Sequence, residues 1–145
     1  MSKVEDFLTV TEEQEIVNAI LKAEKNTSGE IRVHIEAHTR KDHYKRAQEV
    51  FHLLKMDNTK QENGVLIYVA VNDRKFVICG DKGIDKVVPA DFWQTTKDTI
   101  QDYFIKGAYK EGIIAGVLKA GTELNSHFPW HSNDTNELSN EISKG

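Results

Sequence analysis

The topology of this chain follows from residues 62–85, which read ENGVLIYVAVNDRKFVICGDKGID. Val65 to Val71 is an apolar run with the length and composition of a strand that is buried on both faces. A polar turn follows it, and Phe76 to Cys79 then returns as a second strand, antiparallel to the first. The start of the first strand therefore lies beside the end of the second, and this pairing places Glu62 next to Asp81.

Two helices are predicted before this hairpin. The first covers Thr11 to Lys25, where Thr11 and Gln14 have the spacing of a capping box. The second covers Asp42 to Met56, with Asp42 as its cap. Helical spacing predicts that its inward positions are Tyr44, Ala47, Val50, Phe51 and Leu54.

Between these helices, Glu30 to Ala37 alternates between apolar and polar residues. This pattern is typical of a strand with one buried and one wet face, and it places the strand nearer to the edge of the sheet than Val65 to Val71. The positions predicted to face solvent are Arg32, His34 and Glu36. A strand, helix and strand of this length favour a right-handed crossover, so this strand and Val65 to Val71 should be parallel and begin at the same end of the sheet.

Two helices are predicted after the hairpin. Pro89-Ala90-Asp91 starts the first and Lys106-Gly107 ends it. The last helix runs from Tyr109 to about Ser126, and its row of Gly112, Gly116, Ala120 and Leu124 indicates close packing against a neighbour. The predicted fold class is α/β: a small mixed β-sheet with a parallel crossover and an antiparallel hairpin, and helices packed on both faces.

The 145 residues fit a single domain, expected over residues 11–130, with an N-terminal lead-in over 1–10 and a flexible polar tail over 131–145. The net charge of -4 and the mixed signs along the chain argue against nucleic acid as a partner. No stretch has the length of a membrane span or of a signal-peptide core. The single cysteine, Cys79, lies within an apolar strand and fits a reducing cytoplasm, which is the predicted location.

The predicted topology collects carboxylates from three segments at the end of the sheet where both parallel strands begin. They are Glu30, Glu62, Asp81, Asp85 and Asp91. Carboxylate and carbonyl oxygens are the ligands that hard cations prefer, so we expect a divalent metal ion here, with Ca²⁺ favoured over Mg²⁺. The alternative is that these are ordinary solvated loop carboxylates, with Asp91 as a helix cap and Asp81 as a turn residue. The six histidines form no compact metal-binding motif.

The order of short motifs resembles the TPM-domain family, whose members include phosphatase-like proteins. The resemblance covers roughly residues 10 to 128 and depends on the ordered set rather than on any one piece. The matching motifs are Gly29-Glu30-Ile31, Glu62-Asn63-Gly64, Asp73-Arg74-Lys75, Gly83-Ile84-Asp85, Pro89-Ala90-Asp91 and Tyr109-Lys110-Glu111-Gly112-Ile113. The sequence departs from the family pattern at Glu62, where Asp is common, and over Gly80-Asp81-Lys82-Gly83, where a Gly-Tyr-Gly type of loop is common.

The resemblance implies a divalent-cation site at these loops, most often for calcium, and a proposed acid-phosphatase activity for some members. Two functions follow. In the first, the cation ties the loops together and shapes a cleft that binds a protein partner, so that the domain is a binding or regulatory module. In the alternative, the chain is a metal-dependent acid phosphatase. The first is favoured, because no persuasive nucleophile is present and Arg74 lies at the opposite end of the sheet.

Overall fold

The computed structural model describes residues 7–130 and 140–145 and has an α/β fold. The helices are α1 (Val10–Glu24), α2 (His43–Leu53), α3 (Lys82–Asp85), α4 (Phe92–Ile105) and α5 (Tyr109–His127), with a short 3₁₀ helix over Met56–Asn58. The strands are β1 (Glu30–Glu36), β2 (Gly64–Ala70), β3 (Lys75–Gly80) and β4 (Ser143–Lys144).

These strands form one mixed sheet in the order β3-β2-β1-β4. Strands β1 and β2 are parallel, with Glu30 opposite Gly64. Strands β2 and β3 are antiparallel, with Val65 opposite Gly80. The predicted parallel pairing and hairpin are therefore confirmed, and the starts of β1 and β2 lie at the same end of the sheet as the end of β3.

Helices cover both faces of the sheet, and each face has its own apolar core. Helices α1, α4 and α5 pack on the face that carries Ile31, Val33 and Ile67. On the other face, α2 packs against Leu66 and Tyr68. Strand β2 contributes side chains to both cores and is buried along its whole length, as its continuous apolar sequence predicts.

The tight packing predicted for the last helix is confirmed. A Cβ added at Gly116 would lie 2.7 Å from a side-chain carbon of Ile100, and one added at Gly112 would lie 2.8 Å from the ring of Phe104. Both contacts are shorter than ordinary van der Waals contact, so the missing side chains allow α5 to approach α4 closely.

Two local predictions about the helices are wrong. Helix α1 begins at Val10, one residue before the predicted start, because Thr9 rather than Thr11 is its N-cap. Glu12 N donates to Thr9 Oγ1 and Thr9 N donates to the Glu12 carboxylate, each over 3.0 Å. In α2, the predicted inward residue Tyr44 is half exposed. The Asp42 cap is confirmed, since Lys45 N donates to its carboxylate over 3.1 Å.

The predicted wet face of β1 is also wrong. His34 and Glu36 are 6% and 5% exposed, and Glu30 at the start of the strand is 2% exposed. Alternation predicted correctly which side chains share a face, but a polar face can be buried when neighbours supply hydrogen bonds. Here α2 and β2 supply them, through Arg46 and Tyr68.

The C-terminal segment departs from the flexible tail predicted over residues 131–145. Residues 140–145 lie along β1, where Ser143 pairs with His34 and Lys144 with Ile35 in a parallel strand. The rest of the predicted tail, 131–139, and most of the predicted lead-in, 1–6, lie outside the described residues. Within that lead-in, Leu8 is buried and Phe7 packs on the core. In the described ranges, no helix has both the length and the hydropathy needed to cross a bilayer.

Candidate functional site

The segments that carry Glu62 and Asp81 meet at one end of the sheet. Gly83 N donates to the backbone oxygen of Glu62 over 2.7 Å, and Asp81 N donates to Gly64 O over 2.9 Å. Glu62 adopts a left-handed backbone conformation with φ of 53°, so the chain turns sharply just before β2. We call this meeting of residues 61–64 with 81–84 the acidic junction.

Asp81 is the carboxylate most firmly placed at the acidic junction. It is the N-cap of α3, where its Oδ1 accepts a hydrogen bond from Lys82 N over 2.8 Å. Its other oxygen, Oδ2, is buried and has no hydrogen-bond partner among the described residues. A buried carboxylate oxygen is costly to leave unsatisfied, so this atom lacks a partner that its burial calls for.

The other predicted ligands are spread around the acidic junction. Asp85 Oδ1 accepts a hydrogen bond from Trp93 Nε1 over 2.8 Å. Asp91 is exposed before α4, with no side-chain capping bond. Glu62 is exposed, and Glu30 is buried at the start of β1. Across 7–130 and 140–145, no group of three or more His, Cys, Asp or Glu side chains is arranged to hold a metal ion. The topology thus brings the segments together without gathering the five carboxylates in one place.

A further carboxylate, Glu24, lies nearby and was not singled out from the sequence. Its Oε2 accepts a hydrogen bond from Ile31 N at the edge of β1 over 2.7 Å. Together with Glu30 and Trp130 it lines a cavity of about 220 Å³. Burial raises the pKa of Glu24 to about 8, helped by the charge of Glu30 and opposed by the Ile31 hydrogen bond. The helix dipole disfavours an acidic residue in the last turn of a helix. The position of Glu24 there is the one sequence feature that could have indicated it.

We expect Glu24 to make the stability of the fold fall as pH rises. Its pKa is about 8 when folded, against an ordinary value of 4.5, so its contribution to stability is complete below about pH 4.5 and is lost as pH rises through about 8. In Glu24→Gln, which keeps an oxygen for Ile31 N, the loss of unfolding free energy between about pH 5 and pH 8.5 should shrink by at least about 1 kcal/mol. Urea unfolding at the two pH values measures this. Equal losses of unfolding free energy in the variant and the unchanged protein would contradict the raised pKa of Glu24. Glu13→Gln, on the same helix, is the control.

At the opposite end of β1, Glu36 is the centre of a buried charged network. Arg46 Nε and Nη2 each donate to its carboxylate over 2.9 Å, Tyr68 Oη donates to it as well, and His34 Nε2 donates over 3.0 Å. Burial alone would raise the pKa of Glu36, but the hydrogen bonds from Arg46, Tyr68 and His34 outweigh it and lower the pKa to about 2. The carboxylate is therefore charged and fully satisfied within the protein.

The same network reaches the C-terminal strand. Burial lowers the pKa of His34, so its ring is neutral near pH 7, and Nδ1 can accept a hydrogen bond from Ser143 Oγ over 3.0 Å. Every hydrogen-bonding group of Glu36 and His34 is thus used to join β1, α2, β2 and β4. The arrangement fits a structural role. The charged and polar residues of β1 were visible in the sequence, but nothing in the sequence indicated that Arg46 is the partner of Glu36.

Comparison with protein families gives one match of high coverage: the model described as the TPM domain matches residues 1–123. No curated protein matches the sequence.

Several solved structures resemble the chain. The BA42 protein from the psychrophilic bacterium Bizionia argentinensis is 59% identical, with 100% of both chains covered and a TM-score of 0.90. The N-terminal domain of a protein from P. gingivalis is 21% identical over 86% of this chain and 83% of its own, with a TM-score of 0.69. The N-terminal domain of the cg2496 protein from Corynebacterium glutamicum is 12% identical over 88% and 80%, with a TM-score of 0.66. The last two show a shared fold.

Proposed function

Because this chain belongs to the TPM-domain family, we propose that it is a divalent-cation-dependent binding module whose ion, Ca²⁺ before Mg²⁺, binds at the acidic junction. The observation that carries the proposal is the buried Oδ2 of Asp81, which has no hydrogen-bond partner among the described residues. A cation would satisfy that oxygen. Its bound charge would also offset the negative charge that Glu62 and Asp81 bring to the junction.

The proposed ligand set is smaller than the five carboxylates expected from the sequence. Asp81 and Glu62 lie on the two segments that the Gly83–Glu62 hydrogen bond joins, so they are the side chains best placed to share an ion. Calcium accepts six to eight oxygens and takes backbone carbonyls and water as readily as carboxylates, so two side chains can suffice for a site of modest affinity. Glu30, Asp85 and Asp91 stay predicted ligands with less support, because Asp85 already accepts a hydrogen bond from Trp93 and none of the three lies within residues 61–64 or 81–84.

The role of the ion in this proposal is to join two loops rather than to activate a substrate. The acidic junction connects the start of β2 with the end of β3, and α3 follows directly. An ion that binds both segments would hold this end of the sheet in one conformation and shape the surface offered to a protein partner. The cytoplasmic location expected from the sequence stays a prediction.

We expect Asp81→Asn to weaken Ca²⁺ binding at least about tenfold, because it removes one charged ligand. Asparagine is as good an N-cap as aspartate, so the apo fold should keep its stability. Calorimetric titration of chelator-treated protein, first with Ca²⁺ and then with Mg²⁺, measures the effect. Asp98→Asn, an exposed site on α4, is the matched control and should bind like the unchanged protein. The proposal fails if the unchanged protein gives no saturable heat or if both variants bind alike.

Metal-dependent acid phosphatase activity is the alternative function. It has less support from the geometry, because Arg74 lies in the β2–β3 turn, far along the sheet from the acidic junction. Without a cation the junction would repel a phosphate ester, so any such activity must depend strictly on the ion. Hydrolysis of an aryl phosphate that a chelator and Asp81→Asn both abolish would favour the enzyme over the binding module.

A further inference from the structure

A cavity lies at the end of the sheet opposite the acidic junction. It has a volume of about 650 Å³ and is enclosed by the β2–β3 hairpin, the C-terminal half of α4 and the start of α5. Binding sites for small molecules usually fall between about 300 and 1,000 Å³ and have mostly apolar walls with a few polar groups. We call this space the hairpin cavity. None of the residues of the acidic junction lines it.

The apolar wall of the hairpin cavity is a chain of aromatic rings. Phe76 of β3 and Phe104 of α4 meet edge to face with ring centroids 5.0 Å apart, and Phe104 meets Tyr109 of α5 at 5.3 Å. Phe7 packs on Tyr109 at 4.8 Å. These rings come from four separate segments, and Tyr109 remains 38% exposed. Rings held by one another form a firm surface on which a flat or aliphatic ligand can lie.

The rim of the hairpin cavity is basic. Arg74 and Lys75 come from the hairpin, and Lys97 comes from α4, where Lys97, Gln101 and Ile105 follow one another at four-residue spacing along a single face. No acidic side chain lines the cavity within the described ranges. In those same ranges, none of the three cations forms an ion pair. A chain of net charge -4 thus has a local cluster of unneutralised positive charge.

The nearest acid in the hairpin is already engaged elsewhere. Asp73 Oδ2 accepts hydrogen bonds from Thr39 N over 3.1 Å and from His43 Nε2 over 2.9 Å. Its neighbour Arg74 has a left-handed backbone with φ of 55° and ends the turn in which Arg74 N donates to Val71 O over 3.3 Å. Asp73 is therefore bound to the segments after β1, while Arg74 lines the cavity.

From this combination of an aromatic wall and a basic rim, we propose that the hairpin cavity binds a small amphipathic organic anion: an aromatic or aliphatic body with one carboxylate, sulfonate or phosphate group. The body would lie on Phe76, Phe104 and Tyr109, and the head would meet Arg74 and Lys97. The site needs no metal ion and shares no residue with the acidic junction, so its test is independent of the cation proposal.

The probe for this site is 8-anilinonaphthalene-1-sulfonate, followed by its fluorescence, with uncharged N-phenyl-1-naphthylamine for comparison. We expect saturable binding of one anion per chain, displacement by decanoate, and binding of the uncharged analogue at least about tenfold weaker. Arg74→Asn and Lys97→Gln should each weaken anion binding about fivefold and leave the uncharged analogue unaffected. Asparagine tolerates the left-handed backbone at position 74, so this variant keeps the turn.

The control is Lys60→Gln, an exposed lysine near the acidic junction, which should bind like the unchanged protein. Equal affinity for the charged and uncharged probes, or variants that bind as tightly as the unchanged protein, would overturn the proposal. A dimer that sedimentation detects and that Ile105→Lys dissociates would also overturn the proposal, because a second copy of the chain would then cover the cavity. Flotation of the protein with phosphatidylglycerol vesicles, lost in Arg74→Asn, would instead assign the basic rim to a membrane surface and also overturn it.

Discussion

Gly83→Ala is expected to destabilise the fold by about 3 kcal/mol, at the upper end of what overpacking costs. The added Cβ would lie 2.1 Å from the carbonyl oxygen of Gln61 and 2.6 Å from that of Glu62. These are backbone atoms at the start of β2, so they cannot rotate away as the end of a flexible side chain could. The substitution should therefore push apart the two segments of the acidic junction. Urea unfolding followed by circular dichroism measures the change in free energy.

The control for this prediction is Gly107→Ala. Gly107 has a φ of 77°, and a Cβ there would meet nothing within 4 Å, so only the backbone conformation is penalised. We expect a cost of about 1 kcal/mol. Losses of equal size at positions 83 and 107 would show that crowding at the acidic junction is not the cause.

The second large effect is expected at Arg46. Arg46→Met keeps the aliphatic part of the side chain but leaves the buried carboxylate of Glu36 without its cation. We expect the free energy of unfolding to fall by about 3 kcal/mol. The double variant Glu36→Gln with Arg46→Met should recover part of that loss, because no uncompensated charge remains. A double variant that is less stable than Arg46→Met alone would contradict this account.

Acid denaturation gives an independent measure of the same pair. The pKa of Glu36 is about 2 in the fold, against an ordinary value of 4.5, so its contribution to stability is complete above about pH 4.5 and is lost as pH falls toward 2. Glu36→Gln should therefore lose less stability over that range than the unchanged protein. The exposed ion pair between Lys41 and Glu49 is the control for a pair that is not buried. Lys41→Met should lower the free energy of unfolding by less than about 1 kcal/mol.

Much of the fold could be predicted because it depends on strong local patterns. The apolar run of β2 and the polar turn after it predicted a buried strand and its hairpin, and the distance between β1 and β2 along the chain predicted their parallel pairing. Strand β4 could not be predicted in this way. Its pairing involves only Ser143 and Lys144, which carry no apolar alternation, and it depends on the buried face of β1 rather than on its own sequence.

The candidate site was predictable at the level of segments but not of side chains. Topology alone placed Glu62 beside Asp81, and the hydrogen bond from Gly83 N to Glu62 O agrees with it. Side-chain directions depend on local details that no periodicity reveals. Examples are the left-handed backbone conformation of Glu62 and the hydrogen bond that the indole of Trp93 donates to Asp85. The hairpin cavity was missed for a similar reason, since its aromatic residues come from four segments that only the folded chain brings together.

The pairing of β4 with β1 also has a consequence for biosynthesis. His34 and Ser143 are 109 residues apart in the chain, and the strands they belong to are neighbours. As the polypeptide emerges from the ribosome, β1 can join β2 long before residues 140–145 exist, so the outer edge of β1 stays open until those residues have been made. An open edge can pair with a strand of a nascent neighbour, so this interval is when the chain is most exposed to misassembly.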